Sequence, residues 1–270
     1  SEQADSSKVN IMAVIAEIYA FYPEYYNADS ALMYAQKALV IQEKMKATVF
    51  ESKQSQTGFN FQLLNLQEVI ASLLHSLGNY SKSLELRFEN LKLAEKEKID
   101  WQIIETTRKI TLDYAAMKDY ENVLFYGKRI DSIANKFNKK DQGYQWAHWT
   151  ANYTIAEAYH KLNLPDSALY YARKIKEFQL FHPWHGYIIM ENRLLADIYA
   201  SNNNIDSAFY YYRKTIPIVT SNRSPQAIAM LQAGMARLFQ KAGQLDSALH
   251  YANAALFFFQ TDEIEGRAWG

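Results

Sequence analysis

Cysteine is absent from the 270 residues. Disulfides, thiolate metal sites and a thiol nucleophile are therefore all excluded. An excess of either charge is also missing, because 29 basic residues balance 29 acidic ones. A duplex-binding domain normally carries a basic surplus, so direct nucleic-acid binding is not expected. No apolar run approaches the roughly 18 residues that a membrane span needs. Residues 1–7 are polar and hold no signal-peptide core, which reads as the start of a mature or excised chain. HExxH, a Gly-rich phosphate loop, GxSxG and a Ser-His-Asp order are all missing. No catalytic residue, cofactor or metal site is expected on these grounds.

What is present is a repeat. The segment Asp166-Ser167-Ala168-Leu169-Tyr170-Tyr171-Ala172 recurs in close variants at 29–35, 206–212 and 246–252. Recurrence at a nearly fixed spacing is the mark of a solenoid, in which each unit packs on its neighbours. Small residues anchor the units at Ala31, Ser83, Val123, Ala168, Ala208 and Ala248, separated by 52, 40, 45, 40 and 40 residues. Twelve residues before most anchors stands a second small residue, followed three later by a large one. These pairs are Ala71/Leu74, Thr111/Tyr114, Ala156/Tyr159, Ala196/Tyr199 and Ala236/Phe239. Ala16/Tyr19 completes the set if the first turn, which holds Pro23, is three residues longer.

This pattern predicts pairs of antiparallel helices. Small residues let two backbones approach, and the large residue one turn on fills the space between layers. Ile155, Ala156, Tyr159 and Leu162 follow helical periodicity. A further column, Tyr34, Leu86, Tyr126, Tyr171, Tyr211 and Tyr251, is read as packing between repeats rather than as an aromatic ligand ladder. Asp29, Asp166, Asp206 and Asp246 are read as N-caps. Gly78 and Gly243 supply positive φ at helix ends, and Ser224-Pro225 reads as N-cap and first helical residue. His182 and His185 could ligate a metal only as an incomplete pair, and a helix start with Trp184 packed beneath is preferred. Trp146, His148 and Trp149 hold the comparable place one unit earlier.

The small-x-x-aromatic of the first helix, a Gly or Asn turn, and Asp-Ser-Ala-Leu-x-Tyr opening the second helix resemble the tetratricopeptide repeat (TPR) family. The resemblance covers residues 9–260 and departs from the family in its longer spacing. It implies an all-α, right-handed superhelical solenoid of antiparallel helix pairs. The expected organisation is a single solenoid over 1–270, with six hairpins at about 9–260 and the start of a seventh at 261–270, opened by Gly266; the alternative reading of Ile264-Glu265-Gly266-Arg267 is a protease-cleavage tag. The Tyr-, Asn- and Lys-rich style is similar to TPR sensor regions of bacterial transcriptional regulators and histidine kinases. That implies a non-catalytic interaction module placed on the periplasmic side of an anchored regulator, with a cytoplasmic placement as the alternative.

TPR proteins bind peptides along the face lined by the first helices. By register, the resemblance puts Glu17, Glu68, Ser72, His75, Arg108, Tyr153, Glu157, His160, Arg193, Asp197 and Arg237 on that face. Such a mixed-charge surface suits an extended polar peptide or a partner's terminal helix. Arg193 and Asp197, spaced i, i+4, could instead satisfy each other. The subtype that grips a peptide's terminal carboxylate through Asn is disfavoured, since no Asn occupies that column. The alternative function is self-association into a homodimer through the solenoid ends, motivated by the apolar strip at 256–259.

Overall fold

The computed structural model describes residues 2–22, 25–46, 53–137, 142–177, 185–222 and 225–264. Two compact units divide the chain, Ser1–Asp119 and Tyr120–Gly266. The first holds α1 (Glu2–Phe21), α2 (Ala28–Lys46), α3 (Lys53–Ser76), α4 (Tyr80–Glu97) and α5 (Asp100–Ala116). The second holds α6 (Tyr120–Ala134), α7 (Gln142–Lys161), α8 (Pro165–Ile175), α9 (His185–Ser201), α10 (Ile205–Asn222), α11 (Pro225–Lys241) and α12 (Leu245–Ile264). No strand occurs among the described residues.

The first helices end by one recurring device. The backbone N–H of Asn79 bonds the carbonyl of Leu74, and Asp119 bonds Tyr114, Leu164 bonds Tyr159, Asn204 bonds Tyr199 and Gln244 bonds Phe239, all at 2.8–2.9 Å. The residue just before each donor takes positive φ: Gly78, Lys118, Asn163, Asn203 and Gly243. This is the Schellman closure, which satisfies carbonyls that a helix end leaves open. Two of the five positions use glycine, and two use asparagine, the side chain that best tolerates that conformation. The first hairpin turns differently, with Asn27 N–H reaching back to the carbonyl of Tyr19 at 2.9 Å. Its loop is therefore longer, as the Ala16/Tyr19 spacing anticipates.

The second helices begin two residues earlier than the aspartates suggest. Ala31, Ser83, Ala168, Ala208 and Ala248 donate to the carbonyls of Asn27, Asn79, Leu164, Asn204 and Gln244, which makes the latter the N-caps. The side chains of Asn27, Asn79 and Asn204 accept from the N–H of Ser30, Lys82 and Ser207 at 2.8, 3.4 and 3.1 Å. Asp29, Asp166, Asp206 and Asp246 lie inside the first turn instead. There they act through the positive end of the helix dipole rather than as caps. Ser224 falls outside the described residues, although α11 does open at Pro225.

The small-residue columns are the seams of the fold. Ala16, Ala71, Ala156 and Ala196 on first helices, and Ala31, Ala168 and Ala208 on second helices, are fully buried. Flat stacks close the hairpins: Tyr19 on Tyr34, Tyr159 on Tyr171, Tyr199 on Tyr211 and Phe239 on Tyr251, with ring centroids 5.2–5.9 Å apart. The tyrosine column thus joins the two helices of one hairpin, a tighter role than packing between repeats. Trp149 is buried, stacks on Tyr153 at 5.1 Å and meets Tyr187 of α9 at 4.6 Å. Each fully buried Leu or Ile side chain, such as Ile155, Leu195 or Ile198, contributes about 1.5–3 kcal/mol.

In the second unit α7 pairs with α8, α9 with α10 and α11 with α12, while α9 also touches α7 and α11. First helices therefore lie side by side, which is the arrangement that builds a shared face. α12 runs through residue 264, and Gly266 lies outside the described residues.

Candidate functional site

The 40-residue period carries a face along α7, α9 and α11. Tyr153, Arg193 and Ala233 are equivalent positions, and so are Glu157, Asp197 and Arg237. One helical turn separates the two sets, so all six point the same way. With His160, Lys161, Leu194 and Met230 they line an open cavity of about 240 Å³. Six of the eleven residues assigned by register thus meet at one place.

Asp197 is held from behind. The Tyr212 hydroxyl of α10 donates to its Oδ1 at 2.5 Å. A Cβ on residue 234 would collide with that hydroxyl and ring, so only glycine in α11 lets Tyr212 through. Arg193 does not close on Asp197 as its i, i+4 partner. It lies beside the Tyr153 hydroxyl and points one nitrogen at the Met230 sulfur, 3.9 Å away.

Burial sets the electrostatics. It raises the Glu157 carboxyl above its usual range, reinforced by Asp197 and opposed by Arg193 and Lys161. It lowers the His160 imidazole, against the pull of Asp197. Burial also pushes the Tyr153 and Tyr212 phenols up, with Glu157 and Asp197 respectively adding to it. Burial works against the Arg193 charge, but Tyr153, Glu157 and Asp197 outweigh it and keep the guanidinium firmly protonated. Among the described residues, none of Lys161, Arg193 and Arg237 forms an ion pair with a carboxylate.

The remaining assigned residues lie in the first unit, where Glu68, Ser72 and His75 belong to a buried polar network. Arg87 of α4, almost wholly enclosed, donates to Asp113 Oδ2 at 2.6 Å and to the Lys109 carbonyl at 2.9 Å. Its other terminal nitrogen reaches Glu68 at 3.2 Å and Ser72 at 3.3 Å. Ser72 donates to Glu68 at 2.8 Å, and Lys109 adds an ion pair to Glu68 at 3.3 Å. The buried Asp113 carboxylate meets His75 Nδ1 at 2.6 Å and accepts from Ser83 at 3.0 Å. Arg108 folds onto Glu105 at 2.6 Å, and its charge holds that carboxyl low despite burial, which works the other way. Glu17 stands exposed on α1.

Arg87, Asp113, Lys109, Glu105 and Tyr212 escape a register-based reading. A signal for two of them was nevertheless visible. Four residues after the anchors the column reads Ala35, Arg87, Gly127, Ala172, Tyr212 and Ala252. Arg87 and Tyr212 break a column of small residues, and each crosses to a carboxylate on a first helix.

Among the described residues no group of three or more His, Asp or Glu is placed to hold a metal. His182 and Trp184 lie outside the described residues, and His185 opens α9. No described helix is long and apolar enough to cross a membrane.

No family model matches the sequence, and no curated protein matches it. Solved structures do match by fold. The apo form of RapI superposes with a TM-score of 0.70 at 16% identity, over 95% of this chain and 85% of that one. Aspartyl phosphate phosphatase F from Bacillus subtilis gives 0.68 at 16% identity, over 94% and 60%. TPR-like repeats of a kinesin light chain from Podosopora anserina give 0.56 at 15% identity, over 81% and 98%. The hairpin geometry and these neighbours agree that the fold of this chain is a TPR-type helical repeat.

Proposed function

We propose that the chain is a non-catalytic protein- or peptide-binding scaffold, serving as the TPR interaction or sensor part of a larger bacterial regulatory protein. The observation that carries this reading is the face of α7, α9 and α11, where cations and carboxylates converge without pairing. Lys161 and Arg237 are exposed, but Glu157, Arg193 and Asp197 are half-buried, and a folded protein normally pairs such charges, so these three are poised for groups from outside. The donors and acceptors along this face suit the alternating N–H and C=O of an extended polar peptide. Selection from a displayed random-peptide library tests it. Enriched peptides should bind the native chain and lose affinity at least about tenfold, or 1.4 kcal/mol, on Arg193→Gln. Failure to enrich any sequence, or equal binding to the variant, would count against the reading.

A second reading rests on α12. Leu245, Leu249 and Leu256 fall on one helical face, and all three are more than half exposed. An apolar stripe of this kind suits self-association into a homodimer. Light scattering should then report a dimer that Leu249→Glu converts to a monomer. A monomeric native chain would remove this reading.

A further inference from the structure

The cavity of α7, α9 and α11 measures about 240 Å³, below the roughly 300–1,000 Å³ typical of drug-sized ligands. It admits a single small molecule. Its chemistry is of three kinds. Arg193, Lys161 and Arg237 offer positive charge, and Glu157 and Asp197 offer negative charge. Leu194, Met230 and Ala233 supply an apolar wall.

The charges are not consumed internally. No carboxylate among the described residues pairs with the three cations. Asp197 commits one oxygen to Tyr212. His160 Nδ1 is buried with no hydrogen-bond partner. A ligand of one sign would satisfy one set of groups and press against the other. A ligand carrying an ammonium and a carboxylate a few bonds apart satisfies both, and the partial burial of Glu157, Arg193 and Asp197 strengthens the contacts they make.

We propose that this cavity binds a free α-amino acid with a short aliphatic side chain. Its carboxylate faces Arg193 and Arg237, its ammonium faces Glu157 and Asp197, and its side chain rests on Leu194, Met230 and Ala233. The site makes this unit a small-molecule sensor; this reading uses the same residues as the proposed peptide-binding face, and the capped peptide among the probes separates the two.

The test uses the whole chain labelled with 13C at the methionine methyl groups, of which there are seven. Met230→Leu identifies the signal from the cavity wall. The probes are L-leucine, N-acetyl-L-leucine, L-leucinamide and acetyl-Gly-Leu-Gly-amide. L-leucine should shift the Met230 methyl saturably. The two derivatives, each lacking one charge, and the capped peptide should bind at least about tenfold more weakly. Glu157→Gln and Arg237→Gln should each cost L-leucine a similar factor, with unchanged circular dichroism confirming that the variants fold. The proposal is overturned if L-leucine at about 10 mM, well above a millimolar Kd, moves no signal. It is equally overturned if a single-charge derivative or the capped peptide matches L-leucine, or if both folded variants bind it unchanged.

Discussion

Arg87 shows how much one side chain decides. Its guanidinium is buried and shared among Asp113, Glu68, Ser72 and the Lys109 carbonyl. Removing one partner from such a set leaves a buried charge uncompensated. Arg87→Ala should therefore destabilise the protein by about 3–5 kcal/mol, read from the shift in urea midpoint. A change below 1 kcal/mol would show that Asp113 is readily re-solvated. Glu157 poses the opposite case, a carboxyl that burial makes reluctant to ionise. Its folded pKa is raised, so its contribution to stability is full below the unfolded value and is lost as pH rises through the folded one. Glu157→Gln should thus gain on the native protein as pH increases from about 4 to about 8. A stability difference that is flat with pH, or that runs the other way, would contradict this environment. Of these residues the sequence exposed Glu157, because it repeats every 40 positions with Asp197 and Arg237. It did not expose Arg87 and Asp113, which lie 26 residues apart on different helices and are paired only by packing.

The helices were legible because their seams are made mostly of alanine. Ala16, Ala71, Ala156 and Ala196 are fully buried as their spacing requires, and the tyrosines three residues after the anchors stack within the hairpins. Helix starts were less legible. A carboxylate at a fixed position reads equally well as a cap or as a first-turn charge, and only the backbone bonds separate the two. Those bonds make Asn204 the cap of α10 and place Asp206 inside the helix. Asn204→Ala should accordingly cost about 1 kcal/mol, whereas Asp206→Ala should cost about 0.3–1 kcal/mol that shrinks with added salt. Thermal melts of the two variants at low and high ionic strength distinguish them. A larger, salt-insensitive loss at Asp206 would restore the aspartate as the cap. The left-handed turn at Lys118 was equally hidden, because glycine and asparagine announce such a conformation from sequence and lysine does not.

At the scale of the whole molecule, a repeat architecture separates the supporting seams from a variable face. Second helices carry the caps, the small anchors and half of each aromatic stack, and first helices bring variable side chains to a common face. The register of 40 residues brings six of the assigned side chains of the second unit to one cavity, because equivalent positions of neighbouring first helices fall side by side, but it did not name Lys161, Leu194, Met230 or Ala233, which also line it. It could not predict that Glu68, Ser72 and His75 would be drawn into a network with Arg87, since that depends on a residue from a second helix. The face of α7, α9 and α11 is where we propose that a partner binds. Photo-cross-linking probes this, with p-benzoyl-phenylalanine placed at Ala233 in the cavity wall or at Tyr210, exposed on α10. A peptide selected on the native chain should cross-link through position 233 and not through position 210. Cross-linking at 210 with none at 233 would contradict the claim.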